Sequence, residues 1–345
     1  MGVEIIMFVL MIKRIATYLL VLVGLSILVF TIGRVIPGDP ARQALGPRAP
    51  ESTVQALREE MNLDKSYPVQ YGMWLKGAVQ LDLGKSLLTR RPVIEDIKAY
   101  LPATLEIVTI SAFFMIIGGI LMGIISTKYS NSWLDGIIRV ISYLGIVSPA
   151  FVWAVIFILV FGYTIPLFPT TGRIALSIIE PPHVTGLFTI DYLLNGDSVG
   201  FKDALSHLIL PAVALMLGGM AQAARITRSS MTDNAKKDFI VAMQAYGVPE
   251  RDILFKYLLK PSLIPTVSVL SLDIAALFGS AFLVENLFNF PGLSRYGMQA
   301  MLNKDLNAIS AVVMILGFVF IIVNILIDIV VAYLDPRVRL MGGNE

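Results

Sequence analysis

Charge spacing constrains this chain more than any other feature: six stretches run for about the length of a bilayer crossing with almost no charge. They are Ile15–Gly33, Ile107–Thr127, Val140–Phe168, Ala204–Ala224, Pro261–Val284 and Leu306–Ile327. A helix needs roughly 20 predominantly apolar residues to cross about 30 Å of hydrocarbon. In lipid the backbone must satisfy its own hydrogen bonds, so each stretch reads as a helix. Of the 345 residues, 56% are apolar and only 15% charged, outside the range of soluble domains. A formal net charge of +2 lacks the clustered basic face a nucleic-acid partner requires. There is no cysteine, and the only histidines are His183 and His207. Disulfides, thiolate zinc, iron–sulfur clusters and a histidine-rich metal site are therefore excluded. The expected class is an all-α membrane protein with six transmembrane helices.

Residues 1–33 read as a retained anchor helix rather than a cleaved signal, because the apolar run is long and no small-x-small cleavage pattern follows it. The added apolar residues Met1–Ile12 leave Met11 as an alternative start. Lysine and arginine bias in short loops sets orientation. With both termini cytoplasmic, that side holds Lys13, Arg14, Lys128, Arg139, the seven basic residues of loop 225–260, Arg337 and Arg339. The opposite short loops hold Arg173, Lys202, Arg295 and Lys304. Residues 34–102 form a small helical extracytoplasmic cap between spans one and two. Glu51-Ser52 opens a helix with Val54, Leu57 and Met61 on one face; Val69, Met73, Trp74 and Leu75 follow, and Pro92-Val93-Ile94 opens a third short helix. Residues 103–334 are the membrane domain and 335–345 a cytoplasmic tail.

Within loop 225–260, Asp238 reads as an N-cap and Gly247 as the left-handed residue ending a helix of about two turns. Val248-Pro249 restarts the chain, with Glu250 and Asp252 in the next first turn. Phe239, Ala242, Met243 and Tyr246 fall on one face at i, i+3, i+4 and i+7. So short a helix is marginal in water. Its apolar stripe suits either a groove on another protein or the membrane surface, and periodicity leaves both open.

That loop resembles the EAA coupling loop of ABC importer permeases, in the dipeptide/oligopeptide/nickel group. The resemblance covers nearly the whole chain from Met11. It runs through Pro37-Gly38-Asp39-Pro40, Leu63-Asp64, Pro68-Val69-Gln70-Tyr71, Asp82-Leu83-Gly84-Lys85-Ser86 and Leu101-Pro102-Ala103-Thr104-Leu105-Glu106. It continues through His207-Leu208-Ile209-Leu210-Pro211, Ala224-Arg225, Thr227-Arg228-Ser229-Ser230-Met231 and Leu263-Ile264-Pro265. Glu285-Asn286-Leu287-Phe288, Pro291-Gly292-Leu293, Asn324, Asp328 and Leu334-Asp335-Pro336-Arg337 complete it. Val241, Ala242 and Met243 stand where the group has Glu-Ala-Ala. The resemblance implies a type I ABC importer permease fold and the B-type member of a permease pair. It also implies a second permease of related fold, two cytoplasmic ATPase subunits and an extracytoplasmic substrate-binding protein. ATP and magnesium would be bound by those ATPases, with no cofactor in this chain. The implied cargo is short peptides, then nickel chelates or oligosaccharides. ATPase coupling would fall to Asp238, Phe239, Ala242, Met243, Tyr246, Gly247 and Pro249.

Other features weigh differently. Gly84-Lys85-Ser86 is turn structure rather than a phosphate loop, since Val79 stands where the required glycine would be. Asp273, midway along the fifth stretch, either lines a translocation pathway or fixes helix packing; a carboxylate there is a functional candidate by default. A self-sufficient secondary transporter would use Asp273 as its ion site, but no inverted repeat is present. An intramembrane enzyme would need a partner group that Asp273 lacks. Asn324 and Asp328, i and i+4, read as a helix–helix bond. Gly119 and Gly123 read as close packing, His207 as a structural residue, and Pro149 and Pro211 as candidate kinks.

Overall fold

The computed structural model describes residues 2–35, 40–46, 48–60 and 62–334. The Pro37-Gly38-Asp39 motif, Met61 of the cap helix and the 335–345 tail lie outside the described residues. Helices account for the regular structure: α1 (Gly2–Val35), α2 (Pro40–Leu45), α3 (Glu51–Glu60), α4 (Tyr67–Val79), α5 (Val93–Lys128), α6 (Trp133–Val147) and α7 (Ala150–Phe157). They continue as α8 (Phe188–Leu194), α9 (Ser198–Ala235), α10 (Asp238–Ala245), α11 (Glu250–Asp252), α12 (Lys260–Leu287), α13 (Leu293–Leu302) and α14 (Leu306–Leu334). π-Helical segments extend α7 over Ile158–Thr164 and join α11 to α12 over Ile253–Leu259.

Five helices are long and apolar enough to cross a membrane, and a sixth span is completed if the bent pair α6–α7 is counted as one. These coincide in order with the six predicted stretches. Two predictions are corrected. The third stretch, expected as one span over Val140–Phe168, starts at Trp133 and turns by 110° between Val147 and Ala150. The cause is local: the ring of Pro149 disfavours the helical region for the residue before it, and Ser148 is extended at ψ 124. Pro211, in contrast, lies inside the unbroken α9. Second, Pro92-Val93-Ile94 opens not a short cap helix but α5, of 36 residues, which carries Pro102 in its interior.

The chain divides into two compact units, Met1–Leu101 with Tyr296–Ile321, and Pro102–Arg295 with Ile322–Glu345. In the first, α4 packs on α1 through Phe30, Tyr71 and Trp74, whose rings lie 5.4 to 6.1 Å apart. The Ser26 and Tyr71 hydroxyls are 2.8 Å apart. The Gly84-Lys85-Ser86 segment is a turn: the Ser86 hydroxyl and Leu87 N–H each donate to the buried Asp305 carboxylate at 2.6 Å. Beside it, Asp96 accepts from Thr89 Oγ1, Arg91 and the Tyr296 hydroxyl. Burial, reinforced by that carboxylate, raises the Tyr296 pKa.

In the second unit α9 is central, packed by α6, α7, α8 and α12. Its approach to α5 depends on Gly119 and Gly123, where a Cβ would collide with Ala223 and Thr227. This is the close packing the glycine spacing predicted. At one end of this unit, buried Glu106 accepts from Arg173 at 2.5 Å and from the N–H and hydroxyl of Thr189, both at 2.7 Å. Buried Glu285 accepts from Thr104 Oγ1 at 2.5 Å and Arg295 N–H at 2.8 Å. A Cβ at Gly292 would occupy the space of that carboxyl, which accounts for the glycine in Pro291-Gly292-Leu293.

Candidate functional site

The loop after α9 folds as a short helix pinned to the second unit. α10 spans Asp238–Ala245, but its N-cap is Lys237, with no side-chain cap bond. The Asp238 N-cap prediction is thus off by one residue: the Lys237 carbonyl already accepts from Ile240 N–H at 2.9 Å. Asp238 instead sits in the first turn, where its charge complements the helix dipole. The C-terminus closes through paired bonds, Gly247 N–H to Gln244 O and Val248 N–H to Met243 O, both 3.1 Å. This is the Schellman pattern. It requires Gly247 at φ +73, with open space around its Cα, so the demand for glycine there is conformational rather than steric.

The predicted face of Phe239, Ala242, Met243 and Tyr246 divides. Ile240 is 1% exposed in a cluster with Ile124, Met231, Ile253 and Leu258, and Met243 and Val248 pack against it. Phe239 at 42%, Val241 at 56% and Tyr246 at 87% stay exposed, as does Ala242. Met243, half-buried, therefore packs against the chain's own core. Ile240, which the sequence reading passed over, is the principal anchor; its signal was the i, i+3 pair with Met243. Pro249 caps α11, and the π-segment that follows supplies Ile253 and Leu258 to the cluster. The same segment exposes Lys236, Lys237, Arg251 and Lys256 alongside Asp233, Asp238, Glu250 and Asp252. Exposed aromatic side chains bordered by charged residues are suited to receive another protein.

Behind the loop, α9 is locked to its neighbours by polar bonds. Arg228 donates to the fully buried Asp135 carboxylate at 2.8 and 3.0 Å; Ser126 and Asn131 N–H donate to it as well, and Arg139 lies 3.6 Å away. Thr227 meets Thr266 at 3.0 Å, and Asn234 donates to Ser262 at 2.8 Å. His207 is buried, its Nδ1 2.9 Å from the Asp203 carbonyl. His183 is exposed near Glu180. Among the described residues no group of three or more metal-ligating side chains occurs.

Asp273 lies on α12 beside Gly219 of α9, where an added Cβ would meet the Met115 side chain and approach Asp273 Cβ to 3.2 Å. The residue is half-buried. Its Oδ2 is enclosed and has no hydrogen-bond partner among the described residues.

A set of long apolar helices, one of them sharply bent, together with a surface helix pinned to their ends, defines an integral membrane protein. Comparison with known proteins makes the assignment specific. Residues 119–340 match the family described as binding-protein-dependent transport system inner membrane component, and residues 7–108 match its N-terminal companion. The chain belongs to this family of ABC importer permeases, multi-pass proteins of the inner membrane. It is 34% identical over 324 residues to the probable D,D-dipeptide transport system permease protein of Escherichia coli (strain K12), covering 94% of this chain and 95% of the relative. It is 34% identical over 332 residues to the dipeptide transport system permease protein of Alkalihalophilus pseudofirmus, covering 95% and 98%. The glutathione transport system permease protein of E. coli O6:H1 is 30% identical over 328 residues, covering 95% and 98%.

Proposed function

We propose that this chain is the B-type permease subunit of an ATP-driven importer of short peptides, with both termini and loop 225–260 in the cytoplasm. The observation that carries the reading is the geometry of α10. Ile240 and Met243 hold the helix to the bundle, while Phe239, Val241 and Tyr246 face outward. A helix fixed on one side and greasy on the other can transmit force without dissolving into the chain's own core. Two cytoplasmic ATPases would bind ATP and magnesium, and their closure would push on α10. A second permease of related fold would complete the pathway, and an extracytoplasmic binding protein would deliver cargo to the cap residues 34–102. The peptide assignment draws on the relatives' names, which specify D,D-dipeptides, dipeptides and glutathione.

The test is the double substitution Phe239→Ala/Tyr246→Ala. Both side chains are exposed, so the fold should persist. In proteoliposomes holding the complete transporter, ATP hydrolysis should continue while peptide uptake is lost. Normal uptake per ATP consumed would defeat the reading.

A further inference from the structure

The second unit holds four almost fully buried carboxylates whose surroundings can be compared with those of the half-buried Asp273. Glu106, Asp135, Asp191 and Glu285 are each almost completely buried, and each accepts hydrogen bonds from at least two protein groups. For Glu106 these are Arg173 and Thr189. Asp135 accepts from Arg228, Ser126 and Asn131. Asp191 takes both donors of Thr185 and the Gly186 amide, and Glu285 takes Thr104 and Arg295. Where this fold uses a carboxylate for structure, it supplies donors. Asp273 stands apart, with Oδ2 enclosed and unpartnered.

Its depth sharpens the contrast. Asp273 is the only charged residue between Lys260 and Glu285, and by sequence it falls midway along the 261–284 stretch. At ~1.5 Å per residue that places it ~16–18 Å from either end, the middle of the hydrocarbon. Gly219 lets α9 approach closely here, with the Met115 side chain and the Asp273 Cβ packed against it, while Asp273 as a whole remains partly exposed. A carboxylate facing lipid at this depth costs several kcal/mol. Its partly exposed side is therefore expected to face protein or water, which in a two-permease importer is the seam between the subunits.

We propose that Asp273 lines the translocation path and serves as a transient counter-ion for the cationic groups of a passing peptide, its amino-terminal ammonium or a lysine or arginine side chain. This rests on the peptide-importer reading above. An unsatisfied carboxylate would attract such a group, and the absence of a built-in cation would keep the attraction from becoming a trap.

The test uses the complete transporter in proteoliposomes with ATP and its binding protein, comparing uptake of Lys-Lys, Ala-Ala and Glu-Glu dipeptides. In Asp273→Asn the Lys-Lys to Glu-Glu uptake ratio should fall about tenfold, ~1.4 kcal/mol, while Asp273→Glu should retain the native ratio. An unchanged ratio in Asp273→Asn overturns the inference, and so does loss of assembly in that variant with full activity in Asp273→Glu but no charge preference in the native protein. A second measurement needs no variant. Dicyclohexylcarbodiimide, an apolar carboxyl reagent, should modify Asp273 in the native complex, with protection by Lys-Lys and not by Glu-Glu, read by mass spectrometry. Equal protection by both peptides, or no modification, also overturns it. If the native complex imports none of the three dipeptides, the importer reading itself fails; import with unaltered charge preference refutes only the role of Asp273.

Discussion

Replacing Ile240 with alanine should uncouple the transporter without touching any surface a partner would contact. The side chain is 1% exposed and wedged among Ile124, Met231, Ile253 and Leu258. The substitution removes three carbons, worth ~0.8 kcal/mol each in transfer alone. The cavity left behind adds to this, and such changes in cores cost about 2–5 kcal/mol in total. Taking ~3 kcal/mol, the ratio of docked to undocked α10 falls roughly 10²-fold, since ~1.4 kcal/mol is tenfold. An eight-residue helix has little stability of its own, so nothing compensates once its anchor is gone. The long helices should remain folded, because the cluster touches only their ends nearest the loop.

The assay follows uptake and phosphate release together in proteoliposomes, with hydrogen exchange across 236–250 as the structural readout. The expected result is faster exchange confined to α10 and a several-fold loss of uptake per ATP. A control, Asp233→Ala, alters an exposed residue outside the cluster and should change neither quantity. Should Ile240→Ala exchange and transport as the control does, α10 is not held by this cluster and the lever reasoning is wrong.

Gly247→Ala should weaken the same helix by another route. With φ at +73, an alanine there is strained by about 1–2 kcal/mol, so the Schellman closure loosens; a Gly247→Asn variant, better tolerated in that region, should recover part of the lost uptake. The loop that includes α8 should respond to acid. Burial raises the Asp191 pKa, but the Thr185 hydroxyl and the amides of Thr185 and Gly186 outweigh it and hold the carboxyl below its ordinary value. A depressed folded pKa means the stabilisation is complete above the unfolded value of about 3.9 and vanishes as pH falls through the folded one. Limited proteolysis between residues 180 and 195 should therefore accelerate below about pH 4, and Asp191→Asn should cleave readily at neutral pH; equal cleavage of both proteins at pH 7 would refute the assignment.

The spans were legible because their signal is one-dimensional: about twenty apolar residues between charges suffice, whatever the neighbours do. The bend at Ser148–Pro149 was half legible. The proline is visible, yet the run is apolar on both sides, so neither the 110° turn nor the start at Trp133 could be read. Val93–Lys128 misled for the opposite reason, since Glu95, Asp96, Lys98 and Glu106 make its first half look like surface while the backbone continues unbroken through Pro102. In α10 the helix and its Gly247 stop were readable from local chemistry. Which side faces inward was not, because Phe239 and Tyr246 outweigh Ile240 in size and the deciding contacts come from Ile124 and Leu258. The buried carboxylate pairs were beyond reach: Glu106 finds Arg173 across 67 residues and Glu285 finds Thr104 across 181, distances over which a single sequence carries no pairing information.

The polar bonds along α9 bear on how motion at α10 would travel. Thr227 to Thr266 and Asn234 to Ser262 join α9 to α12 through buried hydroxyl and amide groups, and separating either pair in a medium without water leaves partners unsatisfied at about 1–3 kcal/mol each. Arg228 to Asp135 ties α9 to α6 with a charge at stake, and stripping one member of such a pair costs more still. These three helices should therefore shift together rather than slide past one another. Met231 and Leu258, members of the α10 cluster, lie about one helical turn from these bonds, so displacement of α10 acts directly on the locked group. Bending must then occur where the hydrogen-bond ladder is already interrupted or widened, at Ser148–Pro149 and in the π-segments Ile158–Thr164 and Ile253–Leu259. Asp273 rides on the locked group, on α12 beside Gly219. A push on α10 would thus carry the Asp273 carboxyl along with α9 and α12 relative to whatever faces it.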